Sequence, residues 1–404
     1  MKVKIKPSCP CGNIQPPPSK SIAHRLILCA ALANGTSEIK SISPSEDISA
    51  TVDCIHALGA KTVFESGALT VTGIDTERLQ VSEPLFCREC GSTMRFFIPL
   101  CMLTNETTLL YGSKTLLTRP MQIYEEICES QGILYKKTDD HIEVGGALKP
   151  AVFTVPGNIS SQFISGLLFA LPLLPSDSDI VIAGKVESRP YIDLTVAAQS
   201  QYGVRTQWRD SHTLHIPGGQ KYTPADTVNE GDWSNAAFLY ALKYCGYPVN
   251  VTDMSFNSLQ GDKVCVSYFE ALRDGNPVLD VSNCPDLAPI LFAFAAMHKG
   301  GTFTGTERLR MKESDRGAAM ARELSKFGAQ LVIGENEIRI PKTELHAPDI
   351  VLDGHNDHRI VMSMAVLCVK YGGVIAGAEA VNKSYPGFFE DLEKLKVSIT
   401  YEAE

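Results

Sequence analysis

The stretch Pro17-Pro-Ser-Lys-Ser-Ile-Ala-His-Arg-Leu-Ile-Leu-Cys-Ala-Ala-Leu32 crowds hydroxyls and cations at the mouth of an apolar run. The run predicts a buried helix, and the polar cluster ahead of it is of capping type. Similar starts recur along the chain. Glu89-Cys-Gly-Ser-Thr-Met-Arg95 leads into an apolar segment at 96–103, and Ile159-Ser-Ser-Gln-Phe-Ile-Ser-Gly-Leu-Leu168 follows. Gly231-Asp-Trp-Ser-Asn-Ala-Ala-Phe-Leu239, Pro285-Asp-Leu-Ala-Pro-Ile-Leu-Phe292 and His355-Asn-Asp-His-Arg-Ile-Val-Met362 complete the set. Lys20, Ser92, Ser160, Ser234, Asp286 and Asp357 mark these starts, at intervals of 72, 68, 74, 52 and 71 residues.

A second signal interleaves with the first. Ala57-Leu-Gly-Ala-Lys61 followed by Ala68-Leu-Thr-Val-Thr-Gly73 reads as a helix end, a glycine stop and two short strands. The shape returns in Ser130-Gln-Gly-Ile133 with His141-Ile-Glu-Val-Gly145, in Gln201-Tyr-Gly-Val204 with Thr213-Leu-His-Ile-Pro217, and in Lys326-Phe-Gly-Ala329 with Glu337-Ile-Arg-Ile-Pro341. The unit around 253–282 is shortened, and the last, at 392–401, lacks its glycine. The reading is an α/β (α+β) chain of six βαβαββ units. Six such units exceed a single hydrophobic core, so two domains of three units each are expected. The polar stretch 218–230 is the expected crossing, and the N-terminal strand (Val3, Ile5) is expected to pair with the C-terminal half. The expected boundaries are therefore 18–229 for one lobe, and 1–17 with 230–404 for the other.

Composition narrows the function. The net charge is -9, which argues against nucleic-acid or polybasic membrane partners. The first residues hold no signal-length apolar core, and the longest apolar run, at 164–174, falls short of the about 20 residues a bilayer needs. Twelve cysteines scattered through apolar elements read as reduced core thiols, hence a cytoplasmic protein. Neither Cys9-Pro-Cys11 nor Cys87-Arg-Glu-Cys90 has a second pair at zinc spacing, so no metal site is read there.

In an acidic protein, local cations at helix starts need a reason. The first amides of a helix are unsatisfied, and its dipole places about half a positive charge there. With Ser, Lys and Arg added, such an end is an anion site. Ser234 and Asn235 read as plain caps. Lys20 with Arg25, Ser160 with Ser161 and Gln162, and His358 with Arg359 exceed what capping requires. Arg308-Leu-Arg-Met-Lys-Glu-Ser-Asp-Arg316 is the densest charged run and precedes a helix expected at 318–327. A solvated face is its commonest reading. Glu313, set between Lys312 and Arg316, is nonetheless a candidate proton carrier. Arg119 and Lys383, taken singly, read as surface cations.

Together these motifs resemble a known family. Pro18-Ser-Lys-Ser21 with Arg25, Gly91-Ser-Thr-Met-Arg95, Arg119-Pro120, Ser160-Ser-Gln162, Ser188-Arg-Pro-Tyr191, Pro285-Asp286, Arg310-Met-Lys-Glu-Ser-Asp-Arg316, Asn356-Asp-His-Arg359 and Lys383-Ser-Tyr-Pro386 stand in the order found in the EPSP synthase family, the 3-phosphoshikimate 1-carboxyvinyltransferases. The resemblance spans essentially the whole chain; Lys312-Glu-Ser-Asp-Arg316 with Ser160-Ser-Gln162 is its specific part. It implies a two-domain inside-out α/β barrel-like fold of six βαβαββ repeats, three per domain, closing around the substrates. It implies transfer of the enolpyruvyl group of phosphoenolpyruvate to the 5-hydroxyl of shikimate 3-phosphate, without metal or organic cofactor, by a monomer. By resemblance, Ser21, Arg25, Ser160, Ser161, Ser188 and Lys312 hold shikimate 3-phosphate. Gly91, Arg119, Arg316, Arg359 and Lys383 serve phosphoenolpyruvate, while Lys20 and Gln162 touch both. Asp286 is the expected base on the 5-hydroxyl, with Glu313 as second proton carrier and Lys20 and His358 as competitors. Retention of Gly91 implies a pocket open to glyphosate.

The chain departs from the family pattern at Glu89, where many members carry Asn, at Ser92, where many carry Thr, and at Arg308, where many carry Asn. UDP-N-acetylglucosamine enolpyruvyl transferases share the architecture. They typically use a Cys-bearing loop in the first domain and an Asn beside the first Lys; here Ser21 follows Lys20 and 111–119 has no Cys. RNA 3′-phosphate cyclases are a more distant repeat relative, disfavoured by the acidic balance and the absent adenylation signature. A catalytically inactive phosphometabolite-binding protein would keep the arginines and lose Asp286 and Glu313, and both are present.

Overall fold

The structure, a computed structural model, describes residues 1–81 and 83–402. Strand pairing follows the repeat. Leu85–Phe86 lies parallel to Thr107–Tyr111, with the helix Gly91–Cys101 as crossover. The helix Gln122–Gln131 then leads into the antiparallel pair Leu134–Lys137 and His141–Gly145. The sheet runs first, second, fourth, third strand of the unit. The same order returns in Val152–Pro156, Ser178–Ala183, Thr213–Ile216, Gln207–Trp208, and again in Val278–Asp280, Gly301–Thr304, Glu337–Ile340, Val332–Ile333. Parallel neighbours need a crossover, and the helix between them supplies it.

The remaining sheets take a strand from far along the chain. Thr227–Val228 pairs parallel with Thr36–Lys40, so 218–230 is more than a crossing: it carries the first strand of the unit built on the helix Lys20–Leu32. Lys2–Ile5 lies antiparallel between Gly373–Ala376 and Ile399–Glu402. Gly12–Ile14 pairs parallel with Val249–Val251 and the sheet stops at two strands, which is the shortened unit. Among the described residues the six copies are thus five four-stranded sheets and one two-stranded sheet, all open. By compactness the chain divides into Met1–Pro17 with Gly231–Glu404, and Pro18–Glu230.

Helices apolar on every side must be enclosed. Ala288–Met297 is buried from Ala288 to Ala296, and His358–Tyr371 from His358 to Val369. Their starts differ from the sequence reading in an informative way. Ser19, Ser160 and Asp357 cap their helices through the side chain. Cys90 and Asp232 cap where Ser92 and Ser234 were expected to. The helix Ala288–Met297 has no side-chain cap at all, which leaves the Asp286 carboxylate for other partners. At the stops, Gly132 takes the left-handed conformation at φ 68° and ψ 30°. The last unit, which lacks its glycine, puts Lys396 there at φ 68°. All twelve cysteines are free, and nine of them are buried.

Candidate active site

In the unit Pro18–Glu230, the helix starts carry a linked polar network. Arg25 is buried one turn into its helix. Its Nε donates to Thr195 Oγ1 at 2.8 Å, Nη1 to the Ser21 carbonyl at 2.6 Å, and Nη2 to the Tyr191 carbonyl at 2.9 Å. Burial lowers its pKa to about 10, so it is still a cation at neutral pH. Lys20 Nζ reaches Asp47 Oδ2 at 2.6 Å. Ser188 is buried in the left-handed region at φ 56°, at the N-terminus of the helix Arg189–Gln201.

A second group in this unit centres on Gln162, two residues into the helix capped by Ser160. Its Oε1 accepts from Arg95 Nη1 at 2.6 Å and its Nε2 donates to Ser92 Oγ at 2.8 Å. Gly91 sits against this group. A Cβ there would lie 2.9 Å from Arg119 Nη1 and 3.2 Å from Arg95 Nη1. The absence of a side chain at Gly91 is what lets the two guanidinium groups approach the helix start. Lys20, Arg25, Gly91, Arg119, Ser160, Ser161, Gln162 and Ser188 thus all belong to this unit. Arg119 is placed in the turn between Lys114–Thr118 and Gln122–Gln131.

In the unit Met1–Pro17 with Gly231–Glu404, Arg316 is the hub. It is 1 % exposed and binds three carboxylates: Asp357 through Nε at 2.9 Å, Asp286 through Nη1 at 2.8 Å, and Glu313 through Nη2 at 2.8 Å. The helix behind it starts at Arg316 with Asp315 as cap, two residues before the expected 318. Lys312 Nζ stands 3.4 Å from Asp286 Oδ1, and Arg359 Nη2 stands 3.8 Å from Asp286 Oδ2. Burial by itself would raise the Asp286 pKa. The charges of Lys312, Arg316 and Arg359 outweigh it and hold the carboxyl well below the usual carboxylate range.

Neighbouring residues hold this cluster in shape. Asp357 caps its helix by accepting from the Arg359 amide at 2.9 Å while bonding Arg316. His355 and Asn356, just ahead of it, are both left-handed at φ 49° and 51°. Buried Glu323 pins that turn, accepting from the Asp353 amide at 2.8 Å and lying 2.9 Å from His355 Nε2. Lys383 Nζ donates to the Asn356 carbonyl at 2.7 Å. His358 is buried at the helix start, 3.9 Å from Asp357. Arg308 is buried too, donating to the Ser282 carbonyl at 3.0 Å.

Sequence reasoning missed several members. Asn235, read as a plain cap, accepts from Arg359 Nη1 at 3.1 Å. Ser234 donates to the buried Asp262. Burial, then the charge of Asp286, pushes Asp262 up to about 7. Asp47 and Asp262 sit mid-segment with no motif around them, so only the folded chain reveals their partners.

The EPSP synthase family profile, described as 3-phosphoshikimate 1-carboxyvinyltransferase, matches residues 7–392. The chain belongs to this family. It is 38% identical over 417 residues to a 3-phosphoshikimate 1-carboxyvinyltransferase of Clostridium perfringens (strain SM101 / Type A), covering 98% of each chain. It is also 38% identical over 423 residues to the protein of that name from Clostridium novyi (strain NT), covering 97% of each. Among solved structures, an EPSP synthase from Acinetobacter baumannii aligns with a TM-score of 0.79 and 20% identity over 100% of both chains. The enolpyruvyl transferase NikO from Streptomyces tendae aligns at 0.74 and 14%, covering 99% of this chain and 98% of that one. These similarities give this EPSP synthase family member the two-domain inside-out α/β fold, with sheets that stay open.

For an EPSP synthase family protein the contact at Gly91 makes a direct prediction. In Gly91→Ala the new methyl displaces the ends of Arg119 and Arg95. The KM for phosphoenolpyruvate is expected to rise about tenfold, equivalent to about 1.4 kcal/mol, with a much smaller change for shikimate 3-phosphate. Equal changes in both would place Arg119 away from phosphoenolpyruvate.

Proposed function

We propose that the chain transfers the enolpyruvyl group of phosphoenolpyruvate to the 5-hydroxyl of shikimate 3-phosphate, releasing phosphate. The observation that carries this reading is Asp286, a carboxylate kept ionised among Lys312, Arg316 and Arg359. Both substrates are polyanions and repel one another until cations neutralise them. Ser21, Arg25, Ser160, Ser161, Gln162, Ser188 and Lys312 take shikimate 3-phosphate. Gly91, Arg119, Gln162, Arg316, Arg359 and Lys383 take phosphoenolpyruvate, and Lys20 touches both. Arginine suits the carboxylate and phosphate because its planar fork pairs with two oxygens at once.

A carboxylate held by three cations is a weak base. Substrate anions correct this: once Lys312 and Arg359 turn to phosphate and carboxylate oxygens, Asp286 loses two of the charges that depress it. It then takes the 5-hydroxyl proton as that oxygen attacks C2 of phosphoenolpyruvate. A proton added at the methylene carbon gives a tetrahedral intermediate, and loss of phosphate and a proton restores the enol ether. Glu313 is the second proton carrier in this scheme, ahead of Lys20 and His358. Its 2.8 Å contact with Arg316 couples it to the same charge network as Asp286. Holding two substrates in register supplies up to about 7 to 11 kcal/mol of barrier reduction.

The reading includes a monomer working in the cytoplasm. Among the described residues no helix is long and apolar enough to cross a membrane. The deciding experiment is a coupled phosphate-release assay that offers shikimate 3-phosphate and UDP-N-acetylglucosamine as alternative acceptors. Turnover with the first only is expected; turnover with the second only, or binding without turnover, would replace this reading. Glyphosate is expected to inhibit in competition with phosphoenolpyruvate, and full activity at millimolar glyphosate would refute the open wall at Gly91.

A further inference from the structure

We propose that His24, Asp47 and Cys90 form a site for a thiophilic divalent cation of the zinc class, whose binding draws Asp47 away from Lys20. One ligand atom from each lies within 4.8 Å of the other two. His24 Nε2 and Cys90 Sγ are 3.9 Å apart. Zinc bonds of about 2.0 to 2.3 Å put tetrahedral ligands roughly 3.3 to 3.6 Å from one another, so the His–Cys edge needs a contraction of only a few tenths of an ångström. His24 and Cys90 are buried, 1 % and 2 % exposed. Asp47, 15 % exposed and paired with Lys20, has to make the larger movement. A nitrogen, sulfur and carboxylate set selects zinc, cobalt or cadmium over magnesium and calcium.

Outer contacts already orient the ligands. His24 Nδ1 is 2.7 Å from Thr51 Oγ1, which is itself 2.7 Å from Thr93 Oγ1, and this fixes Nε2 towards Cys90. Metal-bound histidines are held in this way. Cys90 Sγ caps its helix, accepting from the Thr93 amide at 3.5 Å; burial, then the charge of Asp47, pushes its thiol up to about 12, so the metal itself has to take the place of the proton. Burial, then the charges of Lys20 and Arg25, keep His24 neutral and its lone pair available.

The same two cations oppose a divalent ion, which defines how it enters. Lys20 Nζ occupies the Asp47 carboxylate at 2.6 Å, so the metal displaces an ammonium and does not add to it. The Cys90 thiol gives its proton to solvent as the sulfur–metal bond forms, and no redox change occurs. Resting on the role proposed for Lys20, occupation of this site inhibits turnover. The sequence did not disclose the site because its three ligands come from separate segments with no common motif.

The test titrates the reduced full-length protein with Co2+ and follows thiolate-to-cobalt absorption. The wild type is expected to show one equivalent more than Cys90→Ser, with zinc displacing cobalt and magnesium inert. Losing an outer-shell partner alone costs about tenfold in affinity, so His24→Asn, the second variant should Cys90→Ser not fold, is expected to weaken binding by at least that. Lys20→Met vacates Asp47 and is expected to tighten binding about tenfold, which a purely structural role for the trio would not do. Identical cobalt absorption in wild type and Cys90→Ser, or no tightening in Lys20→Met, overturns the proposal. These readouts need no turnover, so failure of the proposed reaction would leave them standing.

Discussion

Asp286→Asn is expected to lower turnover by about two to four orders of magnitude, with shikimate 3-phosphate still bound. The carboxylate sits in the turn Pro285–Leu287, where the following helix makes no use of it as a cap. Its partners are Lys312, Arg316 and Arg359. Asparagine is close to isosteric, and Arg316 keeps Asp357 and Glu313, so the fold survives the exchange. Lys312, relieved of one anion, is freer to take the sugar phosphate, and affinity for shikimate 3-phosphate is expected to hold or improve. The amide cannot accept the 5-hydroxyl proton, so the loss falls on the rate. Phosphate release under saturating substrates, with calorimetric titration of shikimate 3-phosphate, separates the two. Near-normal turnover would remove Asp286 from the mechanism; lost binding with an intact rate would make it a ligand-holding group instead.

Much of this was legible in the sequence because the repeat is spelled twice, once in the polar helix starts and once in the glycine stops. The strand swaps were less so. Val3 and Ile5 alternate plainly and were expected to join the C-terminal half. Thr227–Val228 is only two residues long and lies within a polar stretch, so its place beside Thr36–Lys40 is decided by tertiary pairing. The site divides along the same line. Lys20, Gly91, Gln162, Lys312 and Arg359 stand in motifs. Asn235 reads as a cap in the sequence, a role that Asp232 performs instead. The family resemblance makes Arg316 an expected phosphoenolpyruvate ligand, but its three carboxylates come from points 3, 30 and 41 residues away, and no local pattern shows that they converge.

That convergence gives the second large effect. Arg316→Met is expected to destabilise its unit by about 3 to 5 kcal/mol, the usual result of removing one partner from a buried ion pair. For a unit of this size the midpoint of thermal unfolding should fall by roughly 6 to 20 °C. Methionine fills much of the space, so the loss is electrostatic and must depend on pH. In the wild type, Asp286 has a folded pKa below its unfolded value. Its contribution to stability is present above the unfolded value near about 4, and is lost as pH falls through the folded one. In Arg316→Met the shortest contact of Asp286 is gone and Asp357, fully buried, has lost its guanidinium. Desolvation of Asp286 is then opposed by Lys312 and Arg359 alone, and its folded pKa moves up towards the unfolded value. A carboxyl whose folded pKa approaches its unfolded one contributes little stability at any pH, so the variant loses what the wild type gains above about 4. The deficit of the variant should therefore be small near pH 4 and widen towards neutrality. Stability curves that ran parallel across that range would mean that Arg316 acts by packing, and that the cations around Asp286 are independent of one another.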